Sequence, residues 1–374
     1  MPKLAQLKKA RNIQDLAGLL GYKASGLAYI VYKIPHEEKY RSFKIPKKNG
    51  GQREILAPTA RLKRLQKKLA ELLQDCHMAI QESNFEKKKN TVSHGFLKGS
   101  SIKTNARPHV KQKYVFNFDL EDFFGSFNFG RVRGYFINSR DFSLHPKVAT
   151  IIAQIACFNN KLPQGSPCSP IIATLIGNVL DSHLVRLARR NNIQYTRYAD
   201  DISFSTYKKE FPLGIAKINS DGVWEIGKKV DNILKKSGFS ANPKKTRMQY
   251  HSSRQVVTGL VVNSKPNVPN DYRKRVRAMV HSLCTKGTFE IDGIDGTYEQ
   301  LHGMLAHIFS IETFNLANHK KHSAKQRNAA LPIQPLFKKF LIYKEFFASS
   351  KPIILSEGKT DVMYLKAAIS QLAM

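Results

Sequence analysis

NIQYTRYADDISFSTY (residues 192–207) places two aspartates side by side between two stretches whose apolar side chains alternate with polar ones. This pattern predicts a β-hairpin with Asp200 and Asp201 at its tip. Neighbouring carboxylates repel each other, yet the chain that contains them carries a formal net charge of +33. A local pair of carboxylates in so basic a protein indicates that the two aspartates serve a function there.

The charge balance restricts the partners of the protein. The chain of 374 residues has 61 Lys+Arg against 28 Asp+Glu, which predicts a polyanionic partner. An anionic membrane surface is the alternative, but no long basic amphipathic helix stands out. No segment reaches the roughly 18 apolar residues that span a bilayer, and the N-terminal residues lack the apolar run of a secretory signal. We therefore expect nucleic acid, and no membrane, as the partner.

Cysteine usage and length restrict the compartment and the architecture. The four cysteines are scattered and include no CxxC pair, which predicts neither a zinc site nor a disulfide framework and suits a cytoplasmic location. The length suits two or three lobes around a sizeable core. A content of 42% hydrophobic and 24% charged residues is ordinary for a globular protein.

Helix and strand patterns predict an α+β core followed by a basic helical lobe. Residues 12–32 predict two short helices, either a small packing module or a helix-turn-helix that touches nucleic acid. Residues 43–58 alternate around Gly-Gly as a hairpin would, and near its tip Lys47, Lys48 and Arg53 either grip a phosphate or are simply solvated. The other predicted elements are a helix from Thr59, loops around a short helix over 85–113, a strand over 114–119, helices over 169–190 and 223–239, a strand over 255–263, and helices from Pro266 to about 347.

A third aspartate, Asp119, ends the alternating strand YVFNFD (114–119). If that strand is a neighbour of the aspartate hairpin, the three carboxylates converge at one end of a sheet. Repulsion within such a cluster falls sharply when divalent cations occupy it, and oxygen-only ligands favour Mg²⁺ over zinc. Two such ions, about 3.5–4 Å apart, can activate a 3′-hydroxyl and stabilise a leaving pyrophosphate. An isolated Asp-Asp pair, by contrast, is common on ordinary turns.

LPQGSPCSP (162–170) is a proline-pinned loop in front of a predicted helix. Its Gly165 has no side chain and therefore permits close approach of another backbone. Such a loop can lie under a base pair or a sugar.

FDLEDFF, LPQGSPCSP, YADD, NPKKT and VTGLVVN occur in the order found in the palm of reverse transcriptases, and the chain resembles that family over roughly residues 43 to 265. The resemblance implies an α+β right-hand polymerase with fingers, palm and thumb and a small N-terminal helical module. It also implies Asp119, Asp200 and Asp201 as the ligands of two Mg²⁺ ions, for which Mn²⁺ could substitute.

The same resemblance implies roles for residues that touch the nucleotide and the template. Tyr198 and Ala199 would complete the YxDD turn, and Phe124 would be the sugar-discriminating aromatic ring. Gln164 and Gly165 would contact the template and the incoming nucleotide. Lys245 would donate a proton to pyrophosphate, and Arg53 would bind the triphosphate from the fingers.

Two short motifs narrow the resemblance to the retron reverse transcriptases. NARPH (105–109) matches the NAxxH signature of that family, and VTG (257–259) matches its VTG signature. The family associates these regions with its own structured RNA. A structural role beside the palm is the alternative for Asn105 and His109. The candidate RNA-binding residues are Asn105, His109, Val257, Thr258 and Gly259.

The retron resemblance implies an RNA-directed DNA polymerase that binds a cognate structured non-coding RNA and primes from a 2′-hydroxyl within it. The enzyme would use dNTPs to copy part of that RNA into branched RNA–DNA (msDNA), in anti-phage defence with a separate effector protein such as a nuclease. Template removal would need a host RNase H, since no carboxylate cluster like an RNase H site follows Pro266. The alternatives are another prokaryotic reverse transcriptase, or a non-catalytic scaffold for structured RNA, which would have no need of three clustered aspartates.

The C-terminal stretch KPIILSEGKTDVMYLKAA (351–368) resembles the first strand and helix of a Toprim domain, with Glu357 as its metal ligand. The later acidic DxD element of such a domain is absent, which favours a docking or vestigial role over catalysis. We expect the chain to divide into five parts: an N-terminal helical module (1–42), fingers with the NAxxH region (43–113), a palm with the YADD centre (114–265), a basic helical thumb (266–350) and the C-terminal strand–helix segment (351–374). The basic residues of the thumb either grip RNA or form a solvated face.

Overall fold

The computed structural model divides into two compact units, Met1–Pro266 and Asn267–Met374. Lys47 and Lys48 of the predicted hairpin tip lie outside the described residues, as does most of the basic stretch predicted in the thumb at 317–330. The structure describes residues 2–46, 50–85, 92–319, 331–348, 352–354 and 356–372.

Helices and strands alternate irregularly in the first unit, as an α+β core requires. Its helices are α1 (Lys3–Lys9), α2 (Ile13–Leu20), α3 (Ala24–Ala28), α4 (Ala60–Phe85), α5 (Ile102–Ala106), α6 (Phe129–Asn138), α7 (Pro146–Ala156), α8 (Ser169–Arg190) and α9 (Lys228–Lys236). Its strands are β1 (Tyr40–Pro46), β2 (Gln52–Pro58), β3 (Tyr114–Asp119), β4 (Gln194–Tyr198), β5 (Asp201–Thr206), β6 (Ala216–Ile218), β7 (Trp224–Ile226), β8 (Arg247–Tyr250), β9 (Val256–Val257) and β10 (Leu260–Val261).

A four-stranded antiparallel sheet in the order β4-β5-β3-β8 forms the centre of the first unit. Its strand β3 and its β4–β5 hairpin match the predictions from alternation. Val115, Phe116 and Phe118 of β3 are fully buried, because this central strand is covered on both faces. In the pairing of β3 with β5, Asp119 stands opposite Asp201, so the two strands bring their carboxylates to the same end of the sheet.

Helix α8 packs against β4 and supplies much of the core. Within the described ranges it is the one helix long and apolar enough to cross a membrane by length and composition. Its most apolar window is 67% buried inside the protein. Burial against the sheet therefore accounts for its apolar sequence.

The predicted N-terminal helices pack on α4. Leu7, Leu16 and Leu27 are fully buried in the same apolar cluster as Leu65 and Leu69 of α4. Between α3 and β1 the chain continues as a π-helical turn, Tyr29–Lys33. The buried leucines are the feature expected of a small packing module.

Strands β1 and β2 form the predicted hairpin and pair along their whole length. Gly50 and Gly51 in its turn both have positive φ, 83° and 80°, which glycine adopts without steric cost. The Leu56 N–H of β2 donates a hydrogen bond of 2.8 Å to the carbonyl of Gln164. The hairpin is thereby tied to the loop that precedes α8.

Two predicted elements of the first unit are wrong in detail. The helix predicted over 223–239 is a strand followed by a helix, since β7 pairs with β6 and the extended backbone of Gly227 (φ −76°, ψ 155°) separates it from α9. The strand predicted over 255–263 is a tight hairpin of β9 and β10. The chain reverses there because Thr258 and Gly259 both adopt positive φ, 46° and 82°.

The second unit is mainly helical, as predicted, and its core lies between α10, α11 and α12. An ion pair of 2.6 Å between Arg273 of α10 and the largely buried Glu312 of α11 joins two of these helices. The prediction of helices alone is wrong at one place, where Gly293 (φ 82°) forms the turn of a small hairpin. The elements are α10 (Asn270–Lys286), β11 (Glu290–Ile291), β12 (Ile294–Asp295), α11 (Tyr298–His319), α12 (Gln334–Ile342) and α13 (Lys359–Leu372).

The strand predicted at PIIL is wrong for the part of it that the structure describes. Residues 352–354 are exposed and pair with no described strand. A strand needs a hydrogen-bonding neighbour, and an apolar run alone does not supply one. Helix α13 follows Glu357 and Gly358, as the pattern predicted, and its described side chains are all exposed.

Candidate active site

Three aspartates meet at one end of the central sheet. Asp119 is the last residue of β3, Asp201 is the first of β5, and the two are paired in register. Asp200 lies in the turn between β4 and β5, and its carbonyl accepts a hydrogen bond of 2.9 Å from the Leu120 N–H. Strand pairing therefore brings together the cluster that the sequence predicted.

The carboxylates are crowded and poorly solvated. Burial raises the pKa of Asp200, the charge of Asp119 adds to this effect, and the positive charges of Lys245 and Arg53 oppose it. Burial raises the pKa of Asp201 to about 8, together with a hydrogen bond to Asp119 and the charges of its two acidic neighbours. Both shifts indicate that the site favours added positive charge.

Lys245 supplies a cation to this cluster. It ends the 3₁₀ turn Pro243–Lys245, and its ammonium group donates a hydrogen bond to the Asp119 carboxylate, which raises the pKa of Lys245. The Asn242 N–H donates to the Asp119 carbonyl at 2.8 Å and fixes this turn to the end of β3. The predicted proton donor therefore touches the cluster.

The chemistry of the cluster suits a hard divalent cation, because its side chains offer only oxygen donors. Among the residues that the structure describes, no group of three Asp, Glu, His or Cys side chains is arranged ready-made for a metal ion. The ammonium group of Lys245 forms an ion pair with the Asp119 carboxylate and so supplies one positive charge to the cluster. The donor set and this demand for positive charge fit Mg²⁺, which the three aspartates would hold.

The turn that carries Asp200 has an unusual backbone. Ala199 is buried and has a φ of 56°, in the left-handed region that an alanine rarely adopts. Its carbonyl accepts a hydrogen bond of 3.0 Å from the guanidinium of Arg197, which is fully buried. Sequence reasoning missed Arg197, although a charged residue inside a buried strand indicates a buried partner. Tyr198 ends β4 and is half-buried.

Phe124 lies in the turn after β3, five residues beyond Asp119. Its ring is near those of Phe96 and Phe123, with centroids 6.2 and 5.6 Å away. The side chain is half-buried, whereas Phe123 belongs to the core. Part of the Phe124 ring therefore remains open to a ligand.

The loop before α8 meets the β1–β2 hairpin through Gly165. Its φ is 127°, and a Cβ at this position would lie 2.5 Å from the carbonyl oxygen of Leu56. Glycine is thus required here for its conformation and for the close approach of the β2 backbone. Gln164 is half-buried beside it, and Arg53 is exposed on β2, near enough for its charge to act on Asp200.

The NARPH and VTG motifs contact each other. The Asn105 side-chain amide donates a hydrogen bond of 3.4 Å to the Thr258 hydroxyl. Asn105, His109 and Val257 are fully buried. Direct RNA contact by these three side chains therefore conflicts with the structure, since they have no accessible surface. Thr258 is half-buried and Gly259 is exposed, so the turn itself is open to a partner.

His109 is a support within the palm sheet. Its two ring nitrogens lie 2.7 Å from the hydroxyls of Ser205 on β5 and Thr196 on β4. Burial lowers its pKa to about 3, which keeps the ring neutral. The structural alternative for this residue therefore accounts for its surroundings.

The family model of "Reverse transcriptase (RNA-dependent DNA polymerase)" matches residues 45–262. The retron Mx65 reverse transcriptase of Myxococcus xanthus is 31% identical over 318 residues, 80% of this chain and 68% of that protein. The Escherichia coli retron reverse transcriptases Ec86 and Ec73 are 29% and 30% identical over 81% and 77% of this chain, and the matches span 85% and 87% of those proteins.

The sheet with its aspartate turn and the family match make the protein an RNA-directed DNA polymerase of the reverse transcriptase family. Within that family the chain belongs to the retron reverse transcriptases. Its fold is an α+β right-hand polymerase fold, as predicted. A solved structure of telomerase from Candida albicans, in complex with a TWJ fragment of telomeric RNA, aligns with 85% of this chain and 66% of that one, at 11% identity and a TM-score of 0.44.

Proposed function

We propose that this retron reverse transcriptase binds a cognate structured non-coding RNA, primes DNA synthesis from a 2′-hydroxyl within it, and copies part of it into branched RNA–DNA (msDNA). The net charge of +33 supports a large RNA partner, because phosphate contacts supply most of the affinity for nucleic acid. The contact between the NARPH and VTG motifs supports the retron assignment, since it joins two segments far apart in the chain.

At the proposed centre, Asp119, Asp200 and Asp201 hold two Mg²⁺ ions, or Mn²⁺ in their place. Ions bound there would activate the attacking hydroxyl and stabilise the leaving pyrophosphate. Lys245 donates a proton to the pyrophosphate, and Arg53 binds the triphosphate of the incoming dNTP. The charges of both residues already act on Asp200.

Three further residues align the substrates in this proposal. The Phe124 ring lies under the deoxyribose and excludes a 2′-hydroxyl. Gln164 and Gly165 contact the template base and the incoming nucleotide, from the loop that is hydrogen-bonded to β2. The half-buried environment of Phe124 and Gln164 supports these roles.

The remaining partners are proposed on the family resemblance. The enzyme acts in the cytoplasm, a host RNase H removes template RNA, and a separate effector protein, for instance a nuclease, acts in anti-phage defence. The N-terminal module, fingers, palm and thumb keep the boundaries stated above, and the division of the chain at Pro266 supports the palm–thumb boundary.

The C-terminal segment docks and does not catalyse. It keeps a likeness to the start of a Toprim domain, but metal chemistry needs several carboxylates around the ions. Its exposed apolar side chains, such as Leu365 and Ile369 of α13, support a docking role.

The pairing of Asp119 with Asp201 beside Asp200 is the observation that carries the proposal. Its test is to purify the protein, sequence the nucleic acid that co-purifies, and supply dNTPs with Mg²⁺. We expect one structured RNA species, extended into DNA that is joined to an internal 2′-oxygen. Extension of arbitrary RNAs without a bound cognate RNA would overturn the proposed dependence on a cognate RNA, and RNA binding without any extension would indicate a scaffold.

A further inference from the structure

A buried charged network lies beneath the YADD turn. Arg197 of β4 and Asp181 of α8 form a two-pronged ion pair, in which the Arg197 Nε and Nη2 atoms each lie 2.7 Å from a different Asp181 oxygen. The Tyr195 hydroxyl donates a further hydrogen bond of 2.6 Å to Asp181. The arginine side chain has no exposed surface, and that of the aspartate is 4% exposed.

The remaining nitrogen of this guanidinium group contacts the YADD turn. Its Nη1 donates a hydrogen bond of 3.0 Å to the carbonyl of Ala199, the residue directly before Asp200. A left-handed alanine persists only where its surroundings hold it. Arginine is the side chain that can grip a carboxylate at two points and still donate to a third acceptor.

The 92–95 segment also packs against this part of the chain. The Arg197 N–H donates to the Val92 carbonyl and the Arg197 carbonyl accepts from the His94 N–H, both at 2.8 Å. Gly95 follows them, and a Cβ there would lie 2.5 Å from the Ala199 nitrogen. The backbone at Ala199 thus contacts both the guanidinium and the 92–95 segment.

Helix α8 makes room for the guanidinium. A Cβ at Gly177 would lie 2.7 Å from Nη2 and 2.9 Å from Cζ of Arg197. A glycine inside a buried helix weakens that helix, and a buried ion pair adds little net stability compared with an apolar core. Stability alone therefore does not explain this combination of residues.

We propose that Arg197 is a positioning residue for the reaction, which fixes the Ala199 carbonyl and so the backbone that presents Asp200 and Asp201. Asp181 orients the guanidinium, and Gly177 provides its space. This inference rests on the proposed role of the aspartates at the reaction centre. Small displacements of a reacting group are costly, on the order of 100-fold in rate per ångström.

The test uses the full chain with its bound RNA and two variants that disturb the contact between Arg197 and the Ala199 carbonyl in different ways. Arg197→Lys keeps the charge but cannot hold the carboxylate at two points and reach Ala199 as well. Gly177→Ala leaves the arginine in the chain but displaces its guanidinium, because the added methyl group would lie 2.7 Å from Nη2. Gly18→Ala is the matched control, because that helical glycine has nothing within 4 Å of the added methyl group.

The measurements are the melting temperature, kcat and KM for dNTP in primer extension, and the Mg²⁺ concentration at half-maximal rate. We expect both variants to remain folded, with kcat lowered at least tenfold, a higher Mg²⁺ requirement and a smaller change in KM, while Gly18→Ala behaves as the wild type. Folded variants with unchanged kcat and Mg²⁺ requirement overturn the proposal, and so does unfolding of both, which would make the network purely structural. The variant Asp201→Asn distinguishes failure of the aspartate assignment from failure of the positioning role. If it stays active, the aspartate assignment fails; if it is inactive and Arg197→Lys is normal, only the positioning role fails.

Discussion

At the scale of single residues, Phe124 offers a test of sugar selection. The half-buried ring lies five residues beyond Asp119 and keeps part of its surface open. We expect Phe124→Ala to admit ribonucleotides far more readily, because the ring no longer blocks a 2′-hydroxyl. The measurement is the ratio of kcat/KM for a dNTP to that for the matching ribonucleotide.

The neighbouring Phe96 is the matched control for this change. Its ring lies 6.2 Å from that of Phe124 and is 39% exposed. Phe96→Ala should leave the ratio near its wild-type value. An unchanged ratio in Phe124→Ala would show that this ring only packs and that another group excludes ribonucleotides.

His109 predicts a pH dependence of stability. Its pKa is lowered to about 3 in the folded protein by burial, against about 6.5 in an unfolded chain. Between these values the unfolded state binds the extra proton, so stability is complete above the unfolded pKa and falls as the pH drops below it. The expected loss from this group between pH 7 and pH 5 is about 2 kcal/mol.

Urea unfolding of the wild type and of His109→Gln at the two pH values measures that loss. The variant should be less stable at pH 7, because the hydroxyls of Ser205 and Thr196 lose their partner. Its stability should change less with pH than that of the wild type, although His94, whose pKa is also lowered by burial, keeps part of the dependence. Equal pH dependence in both proteins would contradict a neutral buried His109.

Residue types at the site were predictable from the sequence, but their buried supports were not. Asp119, Asp200 and Asp201 follow from motifs, because the alternating strands beside them place all three at one end of a sheet. Nothing in the spacing of Asp181 and Arg197 reveals that they form a buried pair.

Burial also escaped prediction in the retron motifs. Asn105 and His109 were candidates for RNA contact, with a structural role as the alternative, and both are buried and hydrogen-bonded to other segments of the first unit. Hydrogen bonds between distant segments are a property of the tertiary fold, and one sequence does not display them.

At the scale of elements, the contact between the β1–β2 hairpin and the loop before α8 depends on Gly165. Gly165→Ala places a methyl group 2.5 Å from the Leu56 carbonyl oxygen, on a backbone with a φ of 127°. We expect a loss of about 1–3 kcal/mol in stability and a higher KM for dNTP, since the loop and the hairpin must separate. Thermal unfolding and primer extension measure the two effects.

Gly222→Ala is the control for that substitution. Its φ is also positive (74°), but a Cβ there meets nothing within 4 Å. It should cost some stability without changing KM. An equal rise in KM in both variants would mean that the close approach at Gly165 is irrelevant to nucleotide binding.

Helix α13 carries an apolar seam that the described part of the chain leaves exposed. Val362, Leu365, Ile369 and Leu372 recur at intervals of three and four residues and are between 37% and 87% exposed. We expect Glu357→Ala to leave DNA synthesis and any background nuclease activity unchanged. Deletion of residues 352–374 should weaken association with a partner protein, which a pull-down beside primer extension would detect. Loss of a metal-dependent nuclease activity in Glu357→Ala alone would contradict this view.

Elements with a single clear period were predictable, and elements with mixed signals were not. The alternation in β3 and the long apolar run of α8 gave correct bounds, and the alternation around Asp200 and Asp201 gave the β4–β5 hairpin. VWEIGKK fits a helix and a strand equally well, and pairing with β6 decided for the strand. VVTGLVV is an unbroken β-prone run, in which the positive φ of Thr258 forms a turn that its residue type does not announce.

At the scale of the whole molecule, the charge excess predicts strong dependence of RNA binding on salt. In α10, Lys274 and Arg277 are exposed and basic. Replacing both by alanine should lower the slope of log affinity against log salt by about 1.4–1.8, because each phosphate contact contributes about 0.7–0.9. An unchanged slope would show that this face of the second unit is merely solvated.

The central claim is that Asp119, Asp200 and Asp201 form the metal centre of a polymerase whose RNA affinity comes from its basic surface. The most direct measurement compares Asp201→Asn with the control Asp221→Asn, an exposed aspartate in a loop, in Mg²⁺-dependent primer extension and in RNA binding at the same salt. We predict that Asp201→Asn abolishes DNA synthesis and binds RNA as the wild type does, while Asp221→Asn retains both activities. Normal extension by Asp201→Asn would contradict the account.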